Sequence, residues 1–358
     1  MRSISPLKTT WMSKKGPFWG KIVGFALFGM LVGQPLVSLG QNAGAFARTG
    51  FGARGISMGN ALAGDASGEA SPYYNPAFAP LGTRQHLEAS VAALTFDRSL
   101  QFIQLSAPLQ SKAGFSVGLI HAAVSNIDGR DNSGFHTRNL SVDEYAGFLA
   151  FGLRFSPKVS AGISLQMFST DLFEGLTPAR SVGLDIGLAY KVRPNWSVGL
   201  VADDLLARYS WDSSDLGGSG RNITDSFPRR VRLGVSTSQL DQQLRVHAEI
   251  ESLFSPARVL TRETRLFGDA PAETTDEKIL TQQEFRVRFG AEFIPLAGFA
   301  LRAGMEQLGS EVIDSVRPSV GFMIEQPVGS LQLRAEYGYA REAKAGGNMH
   351  LVSITLFL

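Results

Sequence analysis

From Leu87 to Leu358 the chain keeps a two-residue rhythm: short stretches alternate apolar with polar side chains, and each stops at a turn. Only β-strands place neighbouring side chains on opposite faces, so the period selects strands over helices. In the second half the two faces separate almost cleanly. One carries Leu244, Val246, Ala248 and Ile250, then Phe285, Val287, Phe289, Ala291 and Phe293, then Leu301, Ala303 and Met305, then Leu333, Ala335 and Tyr337. The other carries Arg245, His247, Glu249 and Glu251, then Arg286, Arg288 and Glu292, then Arg302 and Glu306, then Arg334 and Glu336. A soluble sandwich would bury the apolar face against a second sheet. A membrane barrel turns it to lipid and keeps the charges in the lumen.

Residues 1–40 bear on that choice. They hold Arg2, Lys8, Lys14, Lys15 and Lys21, no acidic residue, an apolar run from Ile22 to Val32, and small residues at Ser38-Leu39-Gly40. This is the pattern of a secretory signal peptide, and the run is too short for a spanning helix, which needs about 20 apolar residues. Loss of those five cations turns the net charge of +2 into −3, so the basic balance does not point to nucleic acid. Cysteine is absent, which excludes disulfides, thiol catalysis and cysteine-based metal sites.

The alternation predicts fourteen strands, near 87–96, 99–107, 113–124, 143–155, 159–169, 181–190, 196–203, 230–238, 244–253, 285–293, 299–307, 317–325, 331–340 and 348–358. Connections after even-numbered strands are short. Most after odd-numbered strands are long, notably 125–142, 204–229 and 254–284. Outer-membrane barrels have this asymmetry, with short periplasmic turns and longer outer loops. Phe155, Tyr190, Trp196, Phe293 and Phe299 collect beside the short turns, where a headgroup layer favours aromatic rings. The expected fold is an all-β, 14-stranded antiparallel transmembrane β-barrel at 87–358. The 39 glycines suit a sheet that must bend into closure. Residues 41–86 do not alternate, and a barrel this wide cannot fill itself with its own side chains, so they are expected to form a hatch inside the lumen.

That segment runs Gly50-Phe51-Gly52-Ala53-Arg54-Gly55-Ile56-Ser57-Met58-Gly59-Asn60-Ala61, continues to Gly64-Asp65-Ala66-Ser67, and ends in Tyr73-Tyr74-Asn75-Pro76-Ala77. It resembles the N-terminal hatch of the FadL-like outer-membrane proteins, especially their PorV/PorQ branch, with Gly52, Ala53, Arg54, Met58, Gly59, Asp65, Asn75, Pro76 and Ala77 carrying the likeness. The resemblance implies a hatch-plugged barrel of 14 strands in the outer membrane. In FadL itself it implies uptake of long-chain fatty acids; in PorV and PorQ, a role in type IX secretion and surface attachment of cargo. Two departures stand out. The chain is shorter than a fatty-acid porin, and its aromatic Phe357 lies one position before the end.

Each remaining motif has a functional and a structural reading. Gly50, Gly52 and Gly55 fit G-x-G-x-x-G, but no strand precedes them as a dinucleotide site requires, so they read as tight turns. Asn75-Pro76-Ala77 reads as a rigid turn that could also stop the pore. Five inward arginines (245, 286, 288, 302, 334) face six glutamates (249, 251, 292, 306, 325, 336). A selective ion channel would show a ring of one sign; balanced signs read as a cross-linked wall gripping the hatch. The third and fifth strands carry no charge on the lumen face, where Ile120, Gln166 and Phe168 lie. Two readings stand for that side: an apolar track for a greasy ligand with a lateral exit near the glycines of the third strand, or packing of small hatch residues against the wall. Asp203-Asp204, Trp211, Asp212 and Asp215 fall in a long loop, read as solvated or as a calcium- or partner-binding loop. The five histidines are scattered, and no H-E-x-x-H or G-x-S-x-G occurs.

The leading expectation is therefore a non-enzymatic outer-membrane barrel, without cofactor or metal, that moves or tethers cargo. Its expected partners are outer-membrane lipids and secreted cargo proteins or secretion-system components. The alternative is a passive channel for a hydrophobic ligand.

Overall fold

A computed structural model describes residues 43–109, 112–172, 177–212, 222–267, 270–308, 316–342 and 347–358, with side chains described except at 222 and 257–279. The expected signal peptide lies outside the described residues.

Sixteen strands follow a short N-terminal segment. They are β1 (His86–Leu94), β2 (Arg98–Leu109), β3 (Ala113–Arg130), β4 (His136–Arg154), β5 (Val159–Asp171), β6 (Ala179–Arg193), β7 (Trp196–Asp203) and β8 (Arg208–Asp212), then β9 (Asn222–Ser226), β10 (Arg229–Gln239), β11 (Leu244–Phe267), β12 (Ala270–Leu296), β13 (Phe299–Leu308), β14 (Arg317–Val328), β15 (Leu331–Arg341) and β16 (Asn348–Phe357). Fourteen close into one antiparallel barrel, with β1 paired to β16 from His86↔Phe357 to Leu94↔Met349. Closure leaves no unpaired edge, which is what hydrocarbon demands of a spanning sheet. All fourteen barrel strands fall where the alternation put them; β8 and β9 form a separate two-stranded hairpin.

The faces divide as a bilayer requires. On β5, Ile163, Leu165 and Met167 are 44–59 % exposed, whereas Ser164, Gln166 and Phe168 between them are at most 8 % exposed. Phe155, Tyr190, Trp196 and Phe293 stand exposed at the short-turn end. From Phe155 to Tyr145 the outward row spans ten residues, about 33 Å of strand, or about 25 Å of height at a tilt of about 40°.

Two expected loops are instead strand. β3 and β4 stay paired from Ile127↔Leu140 to Arg130↔His136 beyond a register shift, and β11 and β12 stay paired out to Phe267↔Ala270. Outside the apolar band both faces of a ribbon meet water, so the apolar–polar period vanishes while the ladder continues. The lateral exit expected at the glycines of the third strand is not there. β3 keeps an unbroken ladder to β2 and to β4 from Ala113 to Val124.

Residues 43–85 lie inside the bore. They form a 3-10 turn (Ala45–Arg48), the short helix α1 (Gly52–Ser57) and a second 3-10 turn (Pro76–Leu81). Helix α1 packs on β1 and β13–β16, while the second turn packs on β2–β6. A belt of inward glycines lets backbone meet backbone. Gly114, Gly152, Gly162 and Gly187 are successive ladder partners across β3, β4, β5 and β6, and Gly199↔Gly234, Gly290↔Gly304 and Gly321↔Gly338 continue the belt. A Cβ at Gly199 would sit 1.8 Å from the Ala63 carbonyl oxygen, and one at Gly162 would sit 2.3 Å from that of Pro76. These glycines make room for the segment; bending alone does not account for them.

Overpacking a core typically costs about 1–3 kcal/mol, and here the obstacle is main chain that cannot rotate aside. Gly199→Val is therefore expected to lower the urea midpoint for unfolding and expose residues 43–85 to protease. Gly147→Val, facing outward with only the Gly118 carbonyl 3.9 Å from its Cβ position, should change neither. Limited proteolysis and heat-modifiable gel mobility provide the measurement.

Candidate functional site: a bore with two unlike halves

The strands β10–β15 supply the charges that grip the N-terminal segment. Arg54 of α1 places Nη2 2.8 Å from Asp65 and Nε 3.3 Å from Glu292. Glu292 also receives Arg302 at 2.8 Å and Arg245 at 3.0 Å, and Arg302 continues to Glu336 at 2.7 Å. Arg288 bridges Glu249 at 2.6 Å and Glu251 at 2.9 Å, with Arg286 3.6 Å from Glu251. The second Glu249 oxygen accepts the Ala63 N–H at 2.9 Å. Glu306 takes Arg317 at 2.7 Å and the Asn60 amide at 3.3 Å. Arg334 joins Glu325 at 2.6 Å and Glu69 of the segment at 2.9 Å. The inward residues expected to form a network thus do meet, and they meet through the segment as well as through one another.

Four charges at the ends of β7 and β10 escaped the sequence reading. Asp203 ends β7, is buried, and receives Arg232 at 2.7 and 2.9 Å; Arg232 also donates to the Tyr74 carbonyl at 2.8 Å. Asp204 pairs with Arg230 at 3.0 Å. This overturns the solvated-loop reading of Asp203-Asp204. Trp211 and Asp212 lie on β8, and Asp215 lies outside the described residues. A strand end next to a long connection offers too few alternations to mark its face.

The motif residues are distributed along the same grip. Gly52 adopts φ +68° where a Cβ would lie 2.4 Å from Glu88 Oε1, and the Ala53 N–H donates to Ser353 Oγ at 2.8 Å. Met58 and Gly59 press on Gly290 and Gly304, and the Gly59 N–H reaches Ser319 Oγ at 3.2 Å. Asn75 caps the Pro76–Leu81 turn by accepting the Ala77 N–H at 3.0 Å. Its amide donates to the Ala63 carbonyl at 2.9 Å and the Leu188 carbonyl at 3.2 Å. Burial alone would raise the Asp65 carboxyl, but the Arg54 guanidinium prevails and holds it well below the usual carboxylate range.

The opposite wall, over β2–β5, is aromatic. Ile120 and Phe168 are buried with Phe102 and Phe148 of the wall. Phe46 and Phe51 enter from the N-terminal segment, Tyr209 and Phe227 from the β8–β9 region. Phe51 lies 5.1 Å from Phe102 and 5.8 Å from Phe148, ring centre to ring centre. Phe227 lies 4.8 Å from both Phe168 and Tyr209. Large rings pack this part of the wall, while the small residues Pro76, Ala77 and Ala79 of the segment pack against Gly114, Gly152 and Gly162 of the same strands. Gln166 leaves the apolar group, because its amide donates to Asp185.

Two small cavities flank the segment. One, towards the long loops, is lined by Arg48, Tyr73, Gln166, Asp204 and Arg230; the other, towards the short turns, by Arg84, His86, Glu88, Glu336 and Phe357. Phe357 faces inward, with the Arg84 guanidinium 4.0 Å and that of Arg334 4.9 Å from its ring centre. Leu358 is the exposed terminal residue. Among the described residues no group of three or more His, Asp and Glu side chains is arranged to hold a metal ion.

No family model and no curated protein matches the chain. Solved structures match its fold. The Pseudomonas putida toluene transporter TodX aligns over 86 % of this chain and 96 % of its own, at 15 % identity and TM-score 0.55. The monoaromatic hydrocarbon channel CymD aligns over 86 % and 97 %, at 14 % and 0.56, and a Pseudomonas aeruginosa FadL homologue over 86 % and 98 %, at 10 % and 0.53. The shared feature is the 14-stranded FadL-like barrel.

Breaking a buried ion pair from one side costs about 3–5 kcal/mol, because the abandoned charge stays buried. Arg54→Met should therefore loosen the segment and lower the unfolding midpoint. Glu292 keeps Arg302 and Arg245, whereas Arg54 is the one ion-pair partner of Asp65 among the described residues. Adding Asp65→Asn to Arg54→Met should recover most of the loss, measured by a double-mutant cycle in urea.

Proposed function

We propose that this chain is an integral outer-membrane channel for hydrophobic small molecules, held closed in this conformation by residues 43–85 acting as a hatch. The observation that carries the reading is the aromatic half of the bore. A charge-free wall of Ile120, Phe102, Phe148 and Phe168 faces inward, where a barrel filled only with water would present polar side chains. Such a wall lowers the cost of moving an apolar molecule past it, because the molecule exchanges water for rings. The fold neighbours support the reading: a toluene transporter, a monoaromatic hydrocarbon channel and a FadL homologue share the architecture over 86 % of this chain. The order of the two sequence expectations is thereby reversed, with the channel ahead of the secretion role.

The second reading is a PorV/PorQ-like accessory role in protein secretion or surface attachment. What favours it is the motif from Gly52 to Ala77, which resembles that branch; the fold neighbours carry nothing in its support. Neither reading uses catalysis.

Uptake of radiolabelled toluene and oleate into proteoliposomes tests the channel. The wild-type protein should accumulate at least one of the two above empty liposomes. Phe168→Arg, which puts a charge into the aromatic wall, should cut the rate by at least about tenfold, the ratio given by 1.4 kcal/mol. Equal rates for wild type, folded Phe168→Arg and empty liposomes would overturn the channel. Recovery of secreted proteins in a pull-down from outer membranes would then favour the second reading.

A further inference from the structure

The two cavities have one lining residue in common. Tyr74 borders the cavity on the long-loop side and the cavity on the short-turn side, and no other residue lines both. Both cavities are polar and carry both signs of charge: Arg48, Arg230, Arg232 and Arg288 with Asp203 and Asp204 on one side, Arg54, Arg84 and Arg334 with Glu69, Glu88 and Glu336 on the other. They lie towards opposite ends of the bore. Asp203 and Arg230 stand where β7 and β10 reach the long loop, while His86 and Phe357 are the first residue of β1 and the last of β16, at the short-turn end.

The Tyr74 ring is fastened at its tip. Its hydroxyl accepts the Phe51 N–H at 2.8 Å and sits 2.7 Å from Asn60 Oδ1 and 3.0 Å from the Phe51 carbonyl oxygen. Gly55 leaves room for it, since a Cβ there would lie 1.9 Å from the hydroxyl. The main chain around the ring is fastened separately. Arg232 holds the Tyr74 carbonyl, and Asn75 lies against Gly187. Rotating the ring breaks the hydroxyl's bonds and leaves the glycine belt untouched. Tyr74 thus stands between the two cavities, with its ring and its main chain fastened by separate partners.

We propose that Tyr74 is the gate of a second, polar passage through the hatch, which admits small neutral and zwitterionic solutes and runs beside the aromatic half of the bore, touching it at Phe51. The balance of signs sets the solute class: the short-turn cavity is lined by three arginines and three glutamates, and the excess arginines of the long-loop cavity are met from behind by Glu249 and Glu251. A ring of one sign would favour ions of the other, whereas interleaved arginines and carboxylates supply hydrogen bonds without a net field. The aromatic wall contributes no polar group to this route except Gln166, which points to Asp185.

Planar-bilayer recordings in KCl and liposome swelling in arabinose or betaine test the proposal on the full protein. Tyr74→Phe keeps the ring and loses its hydroxyl bonds. Its open probability should rise roughly tenfold with an unchanged open-level current, as expected for the loss of about one net hydrogen bond, about 1.4 kcal/mol. Tyr74→Ala should stay open, admit arabinose and betaine, and show a reversal potential near zero in a salt gradient. Phe168→Ala should leave polar flux at the wild-type level. A folded Tyr74→Ala protein as tight as the wild type would overturn the gate, with folding verified by heat-modifiable mobility. Strong selectivity for one ion sign would overturn the solute class. Polar flux in Phe168→Ala equal to that in Tyr74→Ala would overturn the separate route. If Tyr74→Ala does not fold, an unchanged open probability in Tyr74→Phe is sufficient to reject the gate.

Discussion

A fourteen-stranded ladder closes on a bore that its own side chains cannot span, so the interior must be filled with other chain, water or ligand. Here residues 43–85 fill it, and the contact that permits this is backbone against backbone. The close approaches of Ala63 to Gly199 and of Pro76 to Gly162 leave no room for a side chain on either strand. That constraint fixes where α1 and the Pro76–Leu81 turn sit, and hence which walls are left to contact them by side chain. Arginines and carboxylates do so on β10–β15, apolar and aromatic side chains on β2–β5. The division of the bore into unlike halves follows from the seating of the segment.

The charged half shows why buried ions are tolerable in this place. Each costs several kcal/mol to remove from water, and a lone pair seldom returns it. The carboxylates here are shared: Glu292 meets three guanidiniums, from Arg54, Arg245 and Arg302, and only one of those belongs to the N-terminal segment. Leaving water therefore serves two ends at once, cross-linking neighbouring strands and specifying one position for α1. An apolar contact of the same area would hold α1 with less directional preference, because hydrophobic burial is non-directional.

How much of this was legible in the sequence follows from where each residue's environment changes. Strands inside the apolar band were readable because their outward face is apolar and their inward face is not, so Ile163 and Ser164 could not be confused. The outer half of β11–β12 was hidden because both of its faces meet water, and only the paired backbone shows it to be strand. Asp203 and Asp204 were misplaced because the alternation ends where they begin. The glycine belt was misread because glycine answers equally to bending and to close approach. The signal was present all the same: Gly114, Gly152, Gly162, Gly187 and Gly199 all fall on the inward phase of their strands, and a requirement for bending gives no reason for that phase. Among the track residues, Ile120 and Phe168 were placed correctly on the inner face, but nothing in their own strands could show that rings from Phe51 and Phe227 would cover them.

The two halves also differ in what must move for anything to pass. In the aromatic half the obstacles are rings from two separate stretches: Phe46 and Phe51 from the hatch segment, Tyr209 and Phe227 from the β8–β9 region. Displacing Phe227 breaks its ring contacts with Phe168 and Tyr209 and lifts it off Gly44 of the N-terminal segment. Displacing Phe51 is harder. Its N–H and carbonyl both meet the Tyr74 hydroxyl, and its ring packs against Tyr73, Phe102 and Phe148. The Phe51–Tyr74 contact is therefore where the two halves touch. A motion that frees the Tyr74 hydroxyl also removes both polar anchors of Phe51, so opening the polar side loosens the deepest ring of the aromatic side. Coupling between the halves therefore runs through the Tyr74 hydroxyl, and by linkage freeing Phe51 favours release of Tyr74 as much as the reverse.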